Sequence, residues 1–333
     1  MRFLIISLLF LLPWQSQAQE SVRTLVAEGV VLHDAGDYDG ALALYEQAYK
    51  LDPTYVTTMY EMGFTYHAMG DYKKAQKWMK KVIKLNDLYV GDAYSMLGSS
   101  QDDMGKPKKA IKTFQKGLAL FPDDNMLYFN LALTHSRLEE WNEVAANLEE
   151  GILLDPSHAS SLLLMATAQE ILGNKSKALM SAYWFLILEP NTSRSAAAVA
   201  LTKRVILPDM EADEDSNLNL TLVMNDDKEF ATADMVLGMV AFSLYNETKG
   251  KISVPELFVG INESFFKILD ENKEDKIGLW WEGFGYIFIS LEKAGHTEAF
   301  SHYIWQSEGG QIAQWIESHD AQMDAFFNWI DNL

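Results

Sequence analysis

The stretch DENKEDKIGLWWE, residues 270–282, sets Asp270, Asn272 and Glu274 at alternate positions, the spacing by which a calcium loop offers oxygen ligands to one cation. Such a loop turns on a glycine at its sixth place and closes with a bidentate glutamate at its twelfth. Here those places hold Asp275 and Trp281, so a solvated turn between helices is expected instead. EADEDSNLN at 211–219 lacks the glycine as well. The seven histidines form no HExxH motif and no pair four apart. His296 and His302, six apart, do not share a helical face, and a structural role is expected for His67 and His135. Glu282 beside Trp280 and Trp281 has the parts of a glycan- or small-ligand-handling site, an acid next to rings that can stack. No phosphate-cradling glycine loop and no GxSxG elbow occurs. Carboxylates are too many to single out an acid–base pair. A non-catalytic chain without metal or cofactor is expected. An enzyme or ligand site in residues 209–333 is the alternative.

The bulk of the chain narrows the choice. It has 333 residues and a net charge of −20, so the electrostatic footprint of a nucleic-acid or anionic-lipid binder is missing. The acidity is uneven, with 10 Lys and Arg against 24 Asp and Glu over residues 193–333. The opening MRFLIISLLFLLPWQSQAQE carries Arg2, an apolar run from Phe3 to Leu12, Pro13, and then Ser16 and Ala18 as a small pair. This is the pattern of a secretory signal peptide cut after Ala18, too short to span a bilayer, and no later run is apolar enough to span. The expectation is an exported protein of a Gram-negative periplasm. Absence of cysteine excludes disulfides, thiolate sites and a lipid anchor on an N-terminal cysteine.

What positions any site is a repeat. GDYDGALALYEQAYKLDP, residues 36–53, steps its small and apolar residues by three and four and stops at Asp52-Pro53. The same pattern returns near Gly70 and Gly105, and again in the stretches closed by Pro156 and Pro190. Each unit reads as helix, short turn, helix, stop. The small residue of the first helix is Gly29, Gly63, Gly98, Ala132 and Ala166 in successive units. The alanine early in the second helix is Ala41, Ala75, Ala110 and Ala178, with Val144 in the fourth. The bulky residue four on is Tyr45, Met79, Phe114 and Leu148, with only Ala182 in the last. The closing prolines are Pro53, Pro122, Pro156 and Pro190.

In these positions the chain resembles the tetratricopeptide repeat family over about residues 22–192. The resemblance implies a right-handed, all-α solenoid of five hairpins, at about 22–55, 56–90, 91–124, 125–158 and 159–192. Gly29 and Ala41 are expected where the helices of a hairpin cross, with Tyr45 and Ala48 facing the next hairpin. The family's geometry places first helices along a concave groove, which implies Arg23, Tyr60, Phe64, Phe129, Asn130, Leu133, Leu163 and Thr167 as lining. Asp102, Asp103 and Glu170 would lie at its acidic margins. Of the family's Lys, Arg and Asn clamp for a terminal carboxylate, only Asn130 has a counterpart. An apolar-aromatic groove with an acidic rim suits a protein or peptide segment with apolar anchors and basic flanks.

Beyond the repeats, SAAAVALTKRVI within 193–208 is expected to cap the last hairpin, and 209–228 reads as an acidic linker. Helical patterns follow at about 229–247, 254–270, 277–294, 296–306 and 309–331, dense in large aromatics. Rings at such spacing predict a helical domain with an aromatic core.

Overall fold

The computed structural model describes residues 11–86, 88–206, 210–212, 218–220, 227, 229–248, 254–273 and 275–332. Most of the expected signal segment and most of the acidic linker lie outside these residues. The chain divides into two compact units, residues 1–139 and 140–333.

The first unit is a run of hairpins. Helices α1 (Leu11–Asp34) and α2 (Tyr38–Leu51) form the first, α3 (Val56–Ala68) and α4 (Tyr72–Leu85) the second, and α5 (Val90–Asp103) and α6 (Pro107–Leu118) the third. Helix α7 (Asn125–Arg137) follows. Gly36, Gly70 and Gly105 turn the three hairpins with φ of 82°, 77° and 70°, where a side chain would be strained. Asp37 and Asp71 then start the next helices by accepting from the amides of Gly40 and Lys74.

The small residues sit at helix crossings for a reason different from the one the sequence suggests. A Cβ on Gly29 would lie 2.3 Å from the ring of Tyr45, and one on Gly98 would lie 2.3 Å from the ring of Phe114. On Gly63 it would meet the end of Met79 at 2.1 Å. Each glycine is therefore the seat for the bulky residue of its own hairpin. Tyr45 faces the next hairpin as expected, and the same ring also covers Gly29 of its own. Ala41, Ala75 and Ala110 are fully buried beside these seats. Tyr45 also packs in one cluster with Met62 of the second hairpin, so each layer joins the next.

The second unit begins with α8 (Trp141–Leu154), the hairpin α9 (Ala159–Ile171) and α10 (Lys175–Leu188), and α11 (Ser195–Ile206). Within the expected linker, β1 (Met210–Ala212) and β2 (Leu218–Leu220) pair antiparallel, Met210 opposite Leu220. Then come α12 (Ala231–Thr248), α13 (Val254–Asn272), a π-helical turn (Leu279–Gly285), α14 (Tyr286–Lys293), α15 (Thr297–Tyr303), α16 (Gln311–Ser318) and α17 (Asp320–Ile330). The pattern over 309–331 predicts one helix, but His319, at φ −123°, breaks it in two.

These later helices build on the last hairpin. Helix α10 has no capping side chain of its own at Asn174. Asp234 of α12 supplies the cap, accepting from the amides of Lys175 at 3.1 Å and Ser176 at 2.7 Å. Fully buried Tyr183 donates to Asn262 Oδ1 at 2.6 Å, and Asn262 Nδ2 donates to Ser301 Oγ at 2.9 Å. Around that chain Tyr183, Phe266, Phe288 and Phe300 pack ring on ring, Tyr183 lying 5.4 Å from Phe300.

Candidate partner-binding face

First helices of successive hairpins in the first unit are joined by polar rungs. His33 Nδ1 meets Thr65 Oγ1 at 2.8 Å, and His67 Nδ1 meets Ser100 Oγ at 3.0 Å. Asn130 Nδ2 donates to Ser95 Oγ at 2.6 Å, and Thr134 Oγ1 donates to Asp102 at 2.9 Å. Partners lie 32 to 35 residues apart, one repeat, so equivalent positions find each other. His67 is thus structural, and burial lowers its pKa against the opposing pull of Asp103, 3.6 Å away.

This ladder corrects one expected site residue. Asp102 was placed on an exposed acidic margin, but it is only 7% exposed and holds Thr134 and the guanidinium of Arg137. A carboxylate so enclosed serves the array through Oδ2 rather than standing free on a rim. Asn130, the lone counterpart of the family's clamp, is engaged with Ser95.

Alongside the rungs runs a line of rings. Tyr38 packs on His33 at 5.1 Å, His33 on Phe64 at 4.9 Å, Phe64 on Tyr60 at 6.2 Å, and Tyr60 on Tyr89 at 4.6 Å. The last two contacts are stacked, with interplanar angles of 16° and 13°. Phe64 is 36% exposed, more than a core ring accepts, while Tyr60, Phe129 and Leu133 are half-buried and Arg23 is exposed. Tyr89 was not foreseen. It reaches the line because it takes a left-handed conformation, φ 66°, ahead of α5, which nothing in its residue type announces.

Carboxylates crowd this line. Burial, and then the charge of Asp34, push the pKa of Glu61 up. Burial, and then Asp124, do the same to Asp92. The Tyr60 hydroxyl is pushed up too, chiefly by burial and further by Asp92 and Glu61. No ion pair to Glu61 or Asp92 exists among the described residues. The face therefore offers flat apolar rings beside carboxylates that would be relieved by a cation.

Tetratricopeptide repeat models match residues 32–97 and 91–124. The match covers residues 32–124, and over these the chain carries tetratricopeptide repeats. Solved structures similar to the chain include pilF of Pseudomonas aeruginosa, 14% identical at a TM-score of 0.51, over 70% of this chain and 95% of that one. Others are MamA, 27% identical at 0.42, over 48% and 94%, and a thermophilic tetratricopeptide repeat protein of Thermus thermophilus, 20% identical at 0.46, over 54% and 100%. The likeness to pilF is one of fold alone. No curated protein matches the chain.

In the second unit, the array's remaining expected lining residues are committed locally. Thr167 donates to Leu163 O in its own helix at 3.0 Å, Leu163 is half-buried, and Glu170 is held by Arg204 through two bonds of 2.8 and 2.9 Å. The candidate ring site is core. Trp280 and Trp281 are each 4% exposed, Trp281 stacks on Phe230 at 4.6 Å, and Glu282 accepts from the Gly278 amide at 2.9 Å. Asp270, first of the alternating acids, is paired with Lys273 and Lys293, both at 2.7 Å. A cavity of about 540 Å³ opens elsewhere, lined by Glu256, Val259, Glu298, His302, Ile312 and Trp315 among others. Its wall is stiffened by Trp315, stacked between His302 at 3.8 Å and His319 at 4.1 Å.

Proposed function

We propose that this chain is an exported, non-catalytic scaffold of a Gram-negative periplasm, whose tetratricopeptide array holds a protein or peptide segment along its first helices. Arrays of this kind present an extended surface on rigid stacked helices, which suits holding a partner rather than chemistry. The observation that carries the reading is the line from Phe64 through Tyr60 to Tyr89 beside Glu61 and Asp92. Its rings fit apolar anchors, and its carboxylates favour basic residues flanking them. Among the expected lining residues only Arg23 is cationic, and Asn130 is engaged with Ser95, which does not favour capture of a terminal carboxylate.

Replacing Tyr60, Phe64, Phe129 and Leu133 together with serine should abolish capture of partners from envelope extracts while leaving helicity intact. Capture at the wild-type level would overturn the site. Cell fractionation tests export: the chain should be recovered in the periplasmic fraction, shortened after Ala18.

A second reading rests on the cavity in the second unit. His302 is 5% exposed and its Nδ1 donates to the Glu298 carbonyl at 2.9 Å, so Nε2 of the neutral ring is an acceptor. Burial lowers its pKa, which keeps it neutral. With Glu256 and Glu298 beside it, the cavity offers acceptors to a small organic cation. Calorimetric titration with putrescine should show binding that Glu298→Gln removes, and no heat with wild type would refute it.

A further inference from the structure

The face of the first unit opposite its buried seam carries a charge pattern that the scaffold reading does not use. Eleven of the chain's 27 basic residues fall between Lys73 and Lys116, all of them lysine. They stand on or beside α4 and α6, both of which pack on α5. Neither helix contains a single Asp or Glu. The lysines keep register at one repeat plus the one-residue slip: Lys73 with Lys108, Lys74 with Lys109, Lys77 with Lys112, and Lys81 with Lys116. The equivalent positions of the first hairpin are Asp39, Gly40, Ala43 and Gln47, and of the fourth Asn142, Glu143, Ala146 and Glu150. The repeat fold does not ask for lysine there. The pattern belongs to two hairpins only.

These ammonium groups are largely uncommitted. Lys74 pairs with Asp71 at 3.0 Å, and Lys81 lies 4.0 Å over the ring of Trp78 and donates to the Tyr49 hydroxyl at 3.1 Å. Lys73, Lys77, Lys80, Lys108, Lys109, Lys112 and Lys116 are exposed and make no ion pair with a described residue. Lys73 and Lys77, Lys77 and Lys81, Lys108 and Lys112, and Lys112 and Lys116 stand four apart, each a like-charge pair that weakens its own helix. A face kept only for solubility would intersperse acids and avoid that repulsion.

The counterpart is in the same sequence. Residues 1–139 hold 15 basic and 16 acidic residues, whereas residues 140–333 hold 12 and 31, a net charge near −1 against −19. From Ala294 to Leu333 there is no Lys or Arg at all. Within that stretch Glu317, Asp320, Asp324 and Asp331 are exposed, and Asp320 and Asp324 stand four apart on α17, a like-charge pair of the opposite sign. An anionic membrane is a poorer fit, since a chain of −20 is repelled by an extended negative plane while a finite acidic helix reaches the patch alone.

We infer that the lysine face of α4 and α6 docks the acidic α16–α17 end of a second copy of this chain. The contact is heterologous, one patch meeting a different one, so it chains copies head to tail. It is short-ranged, because screening at 0.1 M salt confines attraction to about 10 Å.

Sedimentation velocity of the full chain tests this. Association that rises with protein concentration in 0.1 M salt and disappears in 1 M salt is expected. Lys77→Glu/Lys112→Glu and Asp320→Lys/Asp324→Lys should each be monomeric alone, and their equimolar mixture should associate again. All four positions are exposed, so circular dichroism should show both variants folded. Three results would overturn the inference: a wild-type chain monomeric at every concentration, association undiminished by either double substitution, or a mixture that stays monomeric. Binding of the monomeric chain to phosphatidylglycerol vesicles, lost in Lys77→Glu/Lys112→Glu, would give the face to lipid and overturn it likewise.

Discussion

The two units solve one packing problem in opposite ways. In residues 1–139 every polar rung and every seated ring joins positions about one repeat apart or within one hairpin, so the same small contact is made again and again. In residues 140–333 the decisive contacts are single and distant, with Tyr183 to Asn262 spanning 79 residues and Ser176 to Asp234 spanning 58. A repetitive array leaves one face of every layer open for a partner. A closed aromatic core turns its rings inward, and among the described residues a cavity opens by Trp315.

That contrast can be broken most forcefully in the second unit. Asn262→Leu leaves the buried Tyr183 hydroxyl without its acceptor, at a cost of about 1–3 kcal/mol, while Ser301 keeps its bond to the Thr297 carbonyl. In urea, the transition reported by the buried tryptophans of residues 140–333 should move to lower denaturant; an unmoved midpoint would show the core does not depend on that chain of bonds. In the array, Ala110→Leu puts bulk into a fully buried crossing and should cost on the order of 1–3 kcal/mol. Hydrogen exchange should then speed up mainly in α5 and α6, because an array's stability is close to a sum over neighbours. Uniform speeding across the first unit would contradict that locality.

A pH effect sharpens the comparison. The native pKa of Glu61 is raised above its unfolded value, so the folded state binds the proton more tightly. Stability from this group is gained as pH falls from neutrality through that raised value and levels off below the ordinary carboxylate range. Glu61→Gln should therefore raise the thermal midpoint at pH 7 and flatten its rise on acidification. A basic partner should show the reverse, with affinity falling as Glu61 takes up its proton. Smallest of all is Asp270→Asn. Its pKa is held down by bonds to Lys273 and Lys293, but the cluster is open to water and such pairs are worth about 0–1 kcal/mol. A loss that persists in 1 M salt would show the cluster is more than a surface pair.

Much of the array was legible in the residues themselves. Gly29, Gly63 and Gly98, with Ala41, Ala75 and Ala110, mark the hairpin crossings because their smallness is a local demand repeated at a fixed period. What covers each glycine was not legible: period alone cannot tell that Tyr45, facing the next hairpin, also covers Gly29 of its own. Asp102 shows the same limit at the site, since a carboxylate near a groove reads as a rim until Thr134 and Arg137 are brought to it. The rings of Trp280 and Trp281 read as core with a ligand platform as the alternative, and the burial of both, with Trp281 stacked on distant Phe230, makes them core. Asp234 as the cap of α10 left no local trace, because donor and acceptor stand 58 residues apart.

In the proposed scaffold, partners meet the first helices of the first unit. Site-specific photocrosslinking measures that directly, with benzoylphenylalanine placed at Phe64 in one chain and at exposed Ala43, on a second helix, in another. A partner adduct at Phe64 and none at Ala43 is predicted. An adduct at Ala43 with none at Phe64 would contradict it.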